Sequence, residues 1–96
     1  MYAQLVMLSL GPGTRSTAEK LADQFAPALR SLKGFKRVTF LGDETVGEYG
    51  SLSLWESKED AEAAGAVMGP QLEQAVSGIA KGPPTRRSFE VYEPKA

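Results

Sequence analysis

Residues 49–65 read YGSLSLWESKEDAEAAG. Tyr49, Ser51, Ser53 and Trp55 occupy alternate positions, and Leu52 and Leu54 lie between them. Alternation of that kind marks a β-strand with two chemically different faces. The alternation stops at Trp55. Ser57, with Asp60 three residues on, is a helix N-cap. Ala61, Ala64, Val67 and Met68 then return at helical spacing. A strand therefore runs directly into a helix here. The fold is decided by what pairs with that strand and which of its faces the helix covers.

Upstream, residues 36–42, KRVTFLG, read as a second strand, joined to the first by a loop in which Gly42, Gly47 and Gly50 permit turns or bulges. Before it, Leu21, Phe25, Leu29 and Leu32 make one apolar stripe of a helix. Ser16 with Glu19 forms a capping box that opens this helix, Pro27 is expected to kink or break it, and Gly34 stops it, with Phe35 folding back. Residues 2–10, YAQLVMLSL, are a strand apolar on both faces, followed by the GPGT turn at 11–14. Downstream, the second helix is expected to break near Gly69-Pro70, resume through Leu72, Val76 and Ile79, and end at Lys81-Gly82. Pro83-Pro84 forces an extended turn into a last strand over 85–93. The order β-α-β-β-α-β over a single domain, residues 1–96, predicts an α+β, ferredoxin-like fold: a four-stranded antiparallel sheet with both helices on one face.

In that architecture Leu52 and Leu54 are expected under the helices, and Tyr49, Ser51, Ser53 and Trp55 on the helix-free face. Either phase of the first strand adds apolar side chains to the open face: Val6, Leu8 and Leu10, or Leu5 and Met7. An apolar patch of that size marks an interface. The simplest cover is a second copy about a two-fold axis, giving a homodimer with sheets face to face. Small Ser side chains beside Trp55 leave room for a cavity between sheet and helices or inside the closed barrel. The competing reading makes Trp55 a plain packing residue.

Composition removes several chemistries. The 96 residues contain no Cys and no His, with a net charge of −1. Disulfides and thiolate sites are excluded, as are the commonest general base and transition-metal ligand; no metal site is expected. Adjacent basic residues occur only at Lys36-Arg37 and Arg86-Arg87, so no nucleic-acid partner is expected. No apolar run reaches the ~18–20 residues of a membrane span, so no membrane partner is expected and a cytoplasmic location is.

Three stretches carry a family resemblance. They are Leu32-Lys33-Gly34-Phe35, the W-x-S-x-E-x-A passage from Trp55 to Ala61, and the Pro83-Pro84 break before Phe89-Glu90-Val91-Tyr92-Glu93. Over nearly the whole chain the sequence resembles the antibiotic biosynthesis monooxygenase-like domains of the dimeric α+β barrel superfamily. The resemblance implies one of three things: a cofactor-free monooxygenase of polycyclic aromatic molecules, a haem-degrading oxygenase, or a small protein without catalysis. The haem-degrading branch implies an Asn on the first strand, a Trp ending the third, and a His on the second helix. Only Trp55 matches; the His position falls near Gly65, and no Asn exists. No haem is therefore expected.

The monooxygenase branch implies a substrate carbanion that reacts with oxygen without a cofactor. Its substrate-binding donors are expected to be Trp55, Tyr49, Ser51 and Ser53, joined by Thr39 and Arg37 from one face of the second strand. No side chain stands out as the base; Glu90 shares a phase with Arg86, Ser88 and Tyr92, but an outward, solvated Glu is the plainer reading. The expected function is a cofactor-independent monooxygenase acting on a small aromatic or polyketide-like molecule. The alternative is a non-catalytic dimeric barrel that binds a small apolar ligand or has a stress or structural role. An RNA-binding reading of Tyr49-Gly50 is disfavoured: Ser51 and Leu54 stand where aromatics are needed, and Glu48 where a base is. The Gly11–Ser16 turn lacks the Gly-Lys-Ser/Thr ending of a P-loop.

Overall fold

The computed structural model describes residues 1–95. Its elements are β1 (Tyr2–Ser9), α1 (Arg15–Arg30), β2 (Phe35–Asp43), β3 (Glu48–Trp55), α2 (Lys58–Val76) and β4 (Thr85–Glu90). They form one four-stranded sheet in the order β2-β3-β1-β4, antiparallel throughout. This is the ferredoxin-like α+β arrangement. β1, apolar on both faces, takes a central position and pairs with β3 on one side and β4 of the same chain on the other.

Local chemistry sets the element ends, with four departures from the sequence reading. Ser57 caps α2, its Oγ accepting from Asp60 N–H at 3.2 Å. Ser16 does not cap α1, whose N-cap is Thr14, two residues earlier; that residue makes no side-chain cap bond. The Thr14 hydroxyl donates instead to Gly11 O at 2.6 Å, which ties down the β1–α1 turn. Neither proline breaks its helix: α1 runs through Pro27 and α2 through Pro70. The carbonyls they leave unpaired belong to Asp23 and Ala66, exposed residues whose backbone water can serve. α2 ends at Val76, short of Lys81-Gly82, and β4 ends at Glu90. Gly34 adopts φ +79°, and a Cβ there would run into the Asp60 carboxylate, so glycine is required where α1 hands over to β2.

The largest correction concerns the faces of β3. Register pairs Ser53 with Gln4, Ser51 with Val6 and Tyr49 with Leu8, and this face lies under the helices. Trp55 is fully buried there with Ala61 and Ala64, and Tyr2, Leu29, Leu32 and Phe35 pack around them. The Phe35 ring meets the indole edge-on, with centroids 5.6 Å apart. Leu52 and Leu54 pair with Leu5 and Ala3 on the open face, and Leu52 remains 40% exposed. The expected phase was therefore inverted. Physically, the helices do not rest on a continuous dry core. They meet one large indole and a row of small polar side chains, and a cavity lies above those small side chains.

Candidate functional site

That space is a cavity of about 470 Å³ between the sheet and the helices, inside the ~300–1,000 Å³ range of small-molecule sites. Val6 and Leu8 of β1 form part of its floor, Phe25 of α1 one wall, and Met68 and Leu72 of α2 another. The wall is mostly hydrocarbon, so the few polar atoms on it set what can bind.

Five polar side chains reach the cavity from the sheet: Gln4, Tyr49, Ser51, Ser53 and Arg86. Gln4 is buried, and its Nε2 donates to Ala61 O at 3.4 Å. Ser53 is also buried; its Oγ accepts from the Trp55 indole N–H at 2.8 Å and donates to Gln4 O at 3.4 Å. The Tyr49 ring leans across Gly42 on β2, where a Cβ would press on it. Its hydroxyl is buried with no hydrogen-bond partner among the described residues, an uncommon state for such a group. Arg86 stands on the helix side of β4, opposite Val6 of β1.

At the mouth, Arg15 bridges two elements. Its Nε donates to Glu19 at 3.2 Å and its Nη1 to Glu44, in the β2–β3 hairpin, at 3.3 Å. The hydrogen bond to Glu19, then the charge of Glu44, hold the guanidinium even more firmly protonated than usual. Both pairs are exposed, so they orient the rim more than they stabilise it.

Of the six residues expected to bind substrate, Tyr49, Ser51 and Ser53 line the cavity. Trp55 lies behind Ser53, fully buried, and is not on the wall. Thr39 and Arg37 pair with Leu52 and Leu54 across β2–β3, which puts them on the opposite face of the sheet. Sequence reasoning missed Gln4, Phe25 and Arg86 as wall residues. The signal for Arg86 was present but faint: Gly65 and Gly69, four apart on α2, vacate the strip of helix that faces it.

Solved structures share this fold. A monooxygenase of Streptomyces coelicolor, ActVA-Orf6 in complex with nanaomycin D, superposes with a TM-score of 0.78 at 21% identity, covering 99% of this chain and 90% of the other. A variant of SnoaB, a cofactor-independent oxygenase from Streptomyces nogalater, gives 0.74 at 17% identity over 97% and 95%. A variant of MhuD with two manganese protoporphyrin IX molecules per active site gives 0.73 at 22% over 100% and 99%. No protein-family model and no curated protein matches the sequence. The chain thus has the fold of the antibiotic biosynthesis monooxygenase-like domains.

MhuD overturns one expectation. Haem was excluded because Asn and His are missing from the sequence. A protein that aligns with the full length of this chain nevertheless carries two porphyrins, so the exclusion does not hold for this fold. The expected homodimer is likewise not shown by a structure of one chain.

Proposed function

We propose that residues 1–96 act as a single cytoplasmic domain, a cofactor-independent monooxygenase-like protein whose substrate is a small aromatic or polyketide-like molecule. The observation that carries this reading is the apolar cavity of about 470 Å³, lined in part by Tyr49, whose buried hydroxyl has no hydrogen-bond partner among the described residues. The fold shared with two named oxygenases supports it. A second copy of this chain is the proposed cover for the open sheet face.

The chemistry suits a chain without histidine. An anthrone-type CH₂ beside a carbonyl is already acidic, and its proton leaves to solvent at the cavity mouth. The Tyr49 O–H donates to the resulting enolate oxygen, and the hydrocarbon wall keeps water from competing. The carbanion gives its electrons to dioxygen and a C–O bond forms. Protonation yields a hydroperoxide, and loss of water leaves a new carbonyl. In sum, CH₂ + O₂ gives C=O + H₂O: carbon is oxidised, and oxygen is shared between product and water.

The test is oxygen uptake with an anthrone-type phenol. Uptake well above the protein-free rate, slowed at least ~10-fold by Tyr49→Phe, is the expected result; loss of one such donor typically costs ~10²–10³. Uptake no faster than without protein favours the second reading, a non-catalytic barrel that binds a small apolar ligand. The lack of any His on the wall supports that reading. Haem belongs in the same ligand series, followed through its Soret band.

A further inference from the structure

We propose that Arg86 is an anion anchor, and that the cavity's ligand is a planar aromatic molecule bearing an anionic oxygen: a carboxylate or an acidic phenolate. This rests on the reading of the cavity as a ligand site and specifies what enters it.

The argument starts on α2. Gly65 and Gly69 are both buried and lie one turn apart. A Cβ on Gly65 would stand 3.0 Å from the Arg86 guanidinium, and one on Gly69 2.7 Å from it. A side chain at either place would make the guanidinium shift from its present position, by a few tenths of an ångström at Gly65. The two glycines therefore form a notch that lets a long side chain from β4 lie against helix backbone. Arg86 Nη1 donates to Gly65 O at 3.4 Å, which fixes one edge of the fork.

The rest of the fork is uncommitted. Among the described residues no carboxylate lies within ion-pair distance of Arg86. Its neighbour Arg87 is occupied differently: its guanidinium sits 4.8 Å over the Phe89 ring, on the other face of the sheet. Arg86, an exposed residue, thus brings an unpaired positive charge to the edge of a mostly hydrocarbon cavity. A guanidinium fork matches the two oxygens of a carboxylate and is less strongly hydrated than an ammonium.

A second polar group sets the ligand's length. Arg86 is on β4 and Tyr49 on β3, two strands apart with β1 between them. Tyr49 pairs with Leu8 and Arg86 with Val6 on β1, so two strand spacings and two residues along the strand separate their Cα atoms, roughly 12 Å. A two- or three-ring skeleton spans that gap, with its anion on Arg86 and a second oxygen accepting from Tyr49 O–H.

The test is calorimetric titration with 2-naphthoate and its neutral counterpart 2-naphthamide. The protein is expected to bind naphthoate about 10-fold more tightly, the scale of one charge-assisted hydrogen bond. Arg86→Gln should abolish that preference. Arg86→Lys should keep part of it. Gly65→Ala keeps the charge but fills the notch, and should also weaken the preference. Thermal unfolding of each variant confirms that it is folded. A preference that survives Arg86→Gln overturns the inference. Equal binding of both probes by the parent protein overturns it as well, while the cavity reading stands. Binding of neither at millimolar concentration removes the cavity reading and the anchor together.

Discussion

Ser53 and Trp55 form a small buried unit in which the indole N–H has its acceptor on the neighbouring side chain of the same strand face, 2.8 Å away. Removing the hydroxyl leaves a donor buried in hydrocarbon, which costs ~1–3 kcal/mol. Ser53→Ala is therefore expected to lower the unfolding free energy by that amount, read as a lower urea midpoint with an unchanged slope. A loss under ~0.5 kcal/mol would mean that the indole finds another acceptor. The spacing of Tyr49, Ser51, Ser53 and Trp55 was legible, because period two puts them on one face whatever the fold. Which face was not legible. Leu52 and Leu54 look like core by composition, yet the helix-covered side is the one with small polar residues, which line a cavity there. Burial of a hydroxyl paired with an indole cannot be read from hydropathy.

At the scale of the element, α1 and α2 differ in how they begin. Both starts contain Ser followed three residues later by an acidic residue, Ser16 with Glu19 and Ser57 with Asp60. Only Ser57 takes the extended conformation that lets its Oγ reach a first-turn N–H. Ser16 lies inside α1, where its hydroxyl caps nothing. Ser57→Ala should then cost ~1 kcal/mol, and Ser16→Ala should stay within ~0.5 kcal/mol of the parent. Equal losses in thermal or urea unfolding would refute the assignment of the caps. Element order and strand positions were readable because β-prone and helix-period segments alternate cleanly. Helix continuity was not, since a proline ends a helix only where the freed carbonyl finds no substitute, and both Pro27 and Pro70 lie on exposed turns.

For the whole molecule, the remaining question is what meets the helix-free face of the sheet. Leu41 and Leu52 are each 40% exposed there and Phe89 39%, with Leu5, Met7 and Leu54 half-buried among them. A 96-residue chain buries only about two-thirds of its unfolded surface alone. Covering this face is the cheapest route to more buried apolar area at ~25 cal/mol per Å². If a second copy supplies the cover, the protein should sediment at micromolar concentration near twice its 10.3 kDa chain mass. Leu52→Asp separates this from an ordinary core effect. Because Leu52 faces away from the helices, the substituted chain should still fold. Its carboxylate would meet its own symmetry mate or apolar side chains across the interface, where an unpaired charge is costly. The expected result is a folded species near 10.3 kDa with native far-ultraviolet dichroism. A parent protein that already sediments at the single-chain mass would overturn the self-pairing and leave the face open to water.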